Sequence, residues 1–225
     1  ETDFVAKNEI FQEYVTDAAI VALRSNGDVC EMKKFNCPKC GKTFEERLTD
    51  MIAKIGENMN LRRAKMIEVN DGVVASYIHN AAGTNIGKIG VLVALESKAD
   101  KAKLAELGKH IAMHVAASNP LFLNVAAVDP AAVEHEKAIY SEQAKASGKP
   151  ENIIEKMVEG RVRKYYDEVV LEEQAYIMDP DKKVKQVVAD TAKELGADIK
   201  IADFACFKLG EGLQKKEEDF AAEVA

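Results

Sequence analysis

The sequence predicts an α+β protein with small antiparallel sheets flanked by helices. Three observations carry this. Apolar residues recur at three- and four-residue steps over Asn8–Arg24 and Thr43–Gly56. From Asn58 to Leu95 the pattern shifts toward alternation and ends in a nearly continuous apolar run. Residues 130–168 are charge-rich and helical in period, interrupted at Gly148-Lys149-Pro150.

The first helix is amphipathic, with Phe11, Val15, Ala18, Ala19 and Ala22 on one face and a stop at Ser25-Asn26-Gly27. A polar stretch containing cysteines follows, through Lys42. Thr43 and Glu46 have capping-box spacing, and Leu48, Met51, Ile52 and Ile55 line one face of the helix they open. Arg63–Val69 alternates loosely, as a strand would. Asn70-Asp71-Gly72 is a turn, Gly72–His79 a second strand and Asn80–Asn85 a loop. The run Lys88–Leu95 fits a strand buried on both faces.

Leu104–Ser118 reads as a helix stopped by Ser118-Asn119-Pro120. A faint echo of turn and alanine-rich helix links the starts at Glu1 and Glu96 and suggests a duplicated subdomain. In residues 130–168, Val133, Ile139, Tyr140 and Ala144 on one arm are expected to face Ile153, Met157, Val158 and Val162 on the other, as a helical hairpin. Val169–Met178 is expected to return to strand and end at Asp179-Pro180-Asp181. Lys183–Leu195 follows as a helix, Ile199–Leu209 as a last strand and Lys215–Val224 as a terminal helix.

Of 225 residues, 47% are hydrophobic and 31% charged, with a net charge of −7. That balance describes an ordinary globular protein and argues against nucleic acid as a partner. No apolar run approaches the roughly 20 residues that span a bilayer, so no membrane partner is expected. The chain opens on Glu1 rather than Met, which reads as a fragment or a processed product.

The cysteines are Cys30, Cys37, Cys40 and Cys206. Cys37-Pro-Lys-Cys40-Gly-Lys looks like half of a zinc knuckle, since two thiolates on a tight turn suit a tetrahedral metal. No second Cys-x-x-Cys or His-x-x-x-His follows at usable spacing to complete it. Cys30 and a distant histidine are the remaining candidates for ligands, and an exposed turn in a variable insertion is the plainer reading. His110 and His114 have a metal-compatible spacing without the His-Glu-x-x-His signature, so core or surface histidines are the alternative. Gly83–Gly87 lacks the Lys-Ser/Thr of a phosphate cradle. Glu217, Glu218 and Asp219 are a solvated charge run. No catalytic site is legible, and no cofactor is expected.

Thr2-Asp3-Phe4-Val5-Ala6-Lys7-Asn8 places an acid beside a large aromatic in a turn before a helix. Two readings stand. Asp3 caps the helix while Phe4 staples it to the core, or Phe4 stands exposed on a rigid turn as an interaction anchor.

That segment resembles the signature of the elongation factor Ts family. Similar resemblances lie in Ile55–Arg63, His110–Ser118, Ser147–Pro150 with Glu155–Arg161, Gly210–Gly212 and Asp219–Val224. They fall in the family's order and span nearly all of the chain. The resemblance implies a core of two related subdomains with a projecting antiparallel coiled-coil hairpin. It sets an N-subdomain at 1–72, a C-subdomain at 73–131 and 171–212, the hairpin at 132–170 and a C-terminal helical module at 213–225.

It also implies a guanine-nucleotide exchange factor for elongation factor Tu, in its GDP-bound and nucleotide-free forms. Such a factor works in the cytoplasm or an organellar matrix and is not an enzyme. Asp3 and Phe4 match the acid–aromatic pair pushed into the partner's nucleotide domain. His79 matches a histidine contacting that domain, and Ile177 an apolar position facing another domain. Phe220 and Val224 belong to a docking helix. Three departures stand out: the family's small N-terminal helical domain is missing, the Cys30–Cys40 stretch is atypical, and the chain stops at Ala225. The alternatives are a binding-only fragment or a zinc or redox protein using Cys37 and Cys40.

Overall fold

A computed structural model describes residues 3–145 and 150–212. The chain opens with helices α1 (Asp3–Ala6), α2 (Glu9–Arg24), α3 (Val29–Lys34) and α4 (Phe44–Ile55). Hairpin strands β1 (Gly72–Gly83) and β2 (Ile86–Glu96) and helix α5 (Lys101–Ser118) follow. Helices α6 (Pro130–Lys145) and α7 (Glu151–Val169) come next, then short strands β3 (Ala175–Tyr176) and β4 (Asp179–Lys183). Helix α8 (Val184–Leu195) and strand β5 (Lys200–Lys208) complete the described elements. The result is the predicted α+β class, with a three-stranded antiparallel sheet ordered β1-β2-β5 and a two-stranded sheet β3-β4.

Local chemistry sets most helix ends. Asn8 caps α2 by accepting from the Ile10 N–H. Thr43 and Glu46 form the predicted capping box on α4, and Gly56 ends that helix in the left-handed region at φ 80°. Such a cap contributes about 1 kcal/mol. Asp100 caps α5, which begins at Lys101, three residues before the predicted Leu104, and Asn119 closes it at φ 48°.

Strand β2 is central, and this explains its apolar run. Val91, Val93, Ala94 and Leu95 are all buried between neighbours. Helix α5 lays Leu104, Leu107, Ile111 and Val115 against them, and α8 adds Val184 and Val188. Each such side chain contributes about 1.5–3 kcal/mol by leaving water. A second cluster joins α2, α3 and α4 through Tyr14, Val21, Met32, Phe44, Leu48 and Met51. The third lies where α6 and α7 meet the rest, around Val128, Val133, Val162 and Val170.

Helices α6 and α7 meet where Val133, near the start of α6, shares that cluster with Val162 of α7, and Arg161 lies over the Tyr140 ring. Ile139 and Ile153 are exposed rather than in the seam, and Ile154 takes the buried position. The Gly148-Lys149 turn lies outside the described residues. The two ends of the insertion are stitched by backbone bonds from Leu121 and Phe122 N–H to the Val169 carbonyl, at 2.8 and 3.0 Å, and from Leu171 N–H to the Phe122 carbonyl, at 2.8 Å.

Five local expectations change. The strand expected over Gly72–His79 runs on to Gly83, so the loop expected over Asn80–Asn85 narrows to a turn at Thr84-Asn85. Arg63–Val69 forms no strand. It is tied to β5 by side chains instead, through Lys65–Asp203 at 2.9 Å and Arg63 over the Phe207 ring, while Leu61 and Ala64 pack on the helical cluster. The expected strand Val169–Met178 bends into a 3-10 turn at Leu171–Glu173, because Val170, Leu171 and Gln174 are all buried in different directions of packing. Asp179-Pro180-Asp181 lies within β4 rather than ending a strand. The polar cysteine stretch contains α3, capped by Asp28. Helix α3 is too short to print a helical period on the sequence.

Candidate partner-binding surface

Phe4 is 67% exposed, whereas its neighbour Val5 is 8% exposed. The staple reading of Phe4 is therefore replaced: Val5 is the anchor and Asn8 the cap. The Asp3 side chain lies outside what the structure describes. The turn carrying Phe4 is held from two sides. Asn8 N–H donates to the Val5 carbonyl at 3.0 Å. The Gln12 amide donates to the Ala6 carbonyl at 2.9 Å and to the Ala82 carbonyl of β1 at 3.0 Å. Gln12 thus fixes the Phe4 turn to the far end of β1. Sequence reasoning missed it, because a glutamine on a polar helix face carries no signal of a bridging role.

His79 stands exposed three residues before Ala82, opposite Ile89 across the β1–β2 ladder. The Tyr77 hydroxyl meets its Nδ1 at 3.1 Å. The ladder shifts register between Ala81 and Gly83, and Asn80 sits at φ 53°, so this end of β1 departs from a flat edge. An open cleft of about 300 Å³ beside it is lined by Asn80, Lys88, Ile89, Lys208 and Leu209. Phe4 and His79 are therefore brought to one end of the sheet through Gln12.

Ile177 is held by a different framework. Ile177 and Met178 form the exposed β3–β4 turn, at 48% and 47% exposure. The Ile177 N–H donates to Nδ1 of fully buried His114 at 3.2 Å. Nδ1 must then be unprotonated, so Nε2 carries the hydrogen and donates to Gln174 Oε1 at 2.9 Å. The Gln174 amide donates onward to the Glu168 carbonyl at 2.7 Å and the Ser118 carbonyl at 3.4 Å. Burial pushes the His114 pKa below its ordinary value, partly offset by the Gln174 bond. Both ring nitrogens are committed to protein partners, which removes His114 from any pairing with His110 on a metal.

Cys37 is buried on a shallow turn, and Cys40 and Cys30 are exposed. Among the described residues no three His, Cys, Asp or Glu side chains gather as a metal cluster. Phe220 and Val224, with the Glu217–Asp219 run, lie outside the described residues. No described helix is long and apolar enough to cross a membrane.

Exposed apolar side chains, Phe4 and Ile177 among them, thus stand on internally hydrogen-bonded turns of this α+β fold. A family profile described as Elongation factor TS matches residues 1–211. The curated Elongation factor Ts of Sinorhizobium medicae is 54% identical over 225 residues, covering all of this chain and 73% of the relative. That of Paramagnetospirillum magneticum is also 54% identical, with 72% of its length covered. That of Caulobacter vibrioides is 53% identical, again with 72% covered. The chain belongs to the elongation factor Ts family, and its place is in the elongation phase of protein synthesis.

Proposed function

We propose that this chain is a guanine-nucleotide exchange factor that binds elongation factor Tu and speeds GDP release, without bond-making or bond-breaking of its own. The observation that carries the reading is the exposed Phe4 beside buried Val5. A large aromatic costs water-facing apolar area when free and repays it in a partner's pocket. Asp3 and Phe4 enter the partner's nucleotide domain, His79 contacts the same domain, and Ile177 faces another. Phe220 and Val224 dock as part of a terminal helical module.

GDP is held by Mg²⁺ and by backbone amides around its phosphates. A wedge that displaces the adjacent switch segment weakens both. Factor and nucleotide then oppose each other's binding with one reciprocal coupling free energy. The division into N-subdomain, C-subdomain, projecting coiled coil and terminal module is part of this proposal, supported by the three separate apolar clusters. The cytoplasm is the setting that fits such a partner.

The test follows fluorescent GDP leaving elongation factor Tu with and without a saturating amount of the chain. Acceleration is expected, and Phe4→Ala should reduce it by about tenfold or more, in line with an anchor residue worth over 1 kcal/mol. Its melting temperature should stay near that of the native chain, because Phe4 is solvent-facing. Parallel loss of exchange and thermal stability would return Phe4 to a structural role.

A further inference from the structure

The turn joining α3 to α4 holds two sulfurs in a frame that is already closed. The Asn36–Thr43 bridge pins its stem, and the Phe44 N–H donates to the Phe35 carbonyl at 3.0 Å. Inside, the Cys37 N–H donates to the Lys42 carbonyl at 2.8 Å, and the Gly41 N–H donates to the Cys37 carbonyl at 2.9 Å. Gly41, at φ 71° with open space around it, permits the reversal directly after Cys40. Cys37 is only 4% exposed and Cys40 faces solvent.

Arg47 of α4 acts electrostatically on Cys37. Arg47 is bonded through Nη2 to Asp17 at 2.9 Å and lies over the Phe44 ring at 4.9 Å. Its Nη1 is buried with no hydrogen-bond acceptor. A buried, unpaired guanidinium nitrogen favours negative charge nearby. The backbone N–H of Lys39 holds the Cys37 thiol below its ordinary pKa; burial opposes this, while the Cys40 N–H and thiol and the Arg47 charge reinforce it.

A closed metal site needs about four ligands, and no third His, Cys, Asp or Glu joins these two among the described residues. A disulfide needs only two sulfurs. We propose that Cys37 and Cys40 form a thiol–disulfide exchange site that takes low-molecular-weight disulfides such as glutathione disulfide and closes to an intrachain bond.

The steps balance. The Cys40 thiol loses its proton to solvent, and its sulfur attacks one sulfur of the small disulfide. The S–S bond of the reagent breaks, and one thiolate leaves and takes up a proton. The Cys37 thiol then gives its proton to solvent, and its thiolate attacks Cys40 Sγ and expels the second thiolate, which takes up a proton. Two protein thiols are oxidised by two electrons, and one disulfide is reduced to two thiols. The assignment of roles follows exposure: the accessible sulfur meets the reagent, and the sheltered one resolves the mixed disulfide.

The experiment incubates the fully reduced chain with glutathione disulfide at neutral pH under anaerobic conditions. Remaining thiols are then alkylated, and the intact chain and its peptides are weighed. Cys37 and Cys40 are expected to disappear from the free thiols together, joined to each other, with no glutathione retained on Cys40. In Cys37→Ser, glutathione should accumulate on Cys40 by ~10-fold or more over the native chain, because the resolving thiolate is gone. In Cys40→Ser, an exposed change that leaves the fold intact, Cys37 should stay unmodified. Cys30→Ser should behave as the native chain does. Stable glutathione on Cys40 of the native chain overturns the proposal. So does pairing of Cys37 with Cys30 or Cys206, or a Cys40 that does not react. If Cys37→Ser fails to fold, the native pairing and the Cys40→Ser result decide alone.

Discussion

At residue scale, His114 shows how one buried side chain fixes a distant surface. Its Nδ1 accepts from Ile177 and its Nε2 donates to Gln174, so only the neutral ring satisfies both. The folded pKa lies below the ordinary value of about 6.5, chiefly through burial. The unfolded chain therefore binds the proton first as pH falls. The stability tied to the neutral ring is complete above the unfolded value and is lost as pH drops below it toward the folded one. On going from about pH 7.5 to about 5.5, the melting temperature should fall further in the native chain than in His114→Gln. Amide exchange at Ile177 should quicken over the same interval. Equal pH responses in the two proteins would remove His114 from this role. The sequence offered His110 and His114 as a spaced pair or as core or surface histidines, and His114 is the core one. Nothing in the intervening Ile-Ala-Met shows that Gln174, sixty residues away, completes the ring's bonding.

At the scale of elements, the packing of α5 on the sheet depends on what is absent at Gly108. A Cβ there would meet the Ala75 Cβ of β1 at 2.7 Å, well inside contact distance. Gly108→Ala gains helix propensity but forces α5 outward or strains β1. The expected cost is about 1–3 kcal/mol, seen as a lowered denaturation midpoint. Gly160 on α7 is the internal control, since no atom lies within 4 Å of its Cβ position. Gly160→Ala should be neutral or stabilising by up to about 1 kcal/mol. If both changes act alike, close approach is not what Gly108 supplies. The long elements were legible because their periods repeat: α2, α4, α5 and β2 stand where the apolar spacing puts them. The β3 strand of two residues and the six-residue α3 fall below that resolution. Arg63–Val69 misled because alternation records side-chain facing, and a segment can face a core without joining a ladder.

At the scale of the molecule, the three apolar clusters differ in depth. The sheet and α5 share fully buried residues such as Val93, Leu95, Leu104 and Ile111, whereas among the described residues α6 and α7 bury little beyond Val133, Ile154 and Val162. Amides of α6 and α7 should exchange at least about tenfold faster than those of β2, through opening of the hairpin by itself. Uniform protection would mean that the hairpin and the core unfold as one unit. Helices α6 and α7 were readable from their charge-rich, Gly-Pro-punctuated sequence. The interaction surface was less so. Exposure of Phe4 depends on Val5 taking the buried place and on Gln12 reaching Ala82, both of which are three-dimensional facts. The proposed exchange role, in turn, rests on family resemblance and not on any residue pattern that physical chemistry alone would decode.

The strand order β1-β2-β5 has a consequence for the making of the chain itself. Strand β2 finds one neighbour at once across a two-residue turn, but its other flank waits for β5, more than a hundred residues further on. While the chain is being translated, that apolar flank has no native neighbour until the stretch around Ile201 has left the exit tunnel. From the making of β2 until β5 emerges, the growing chain thus carries a half-finished sheet with an open edge.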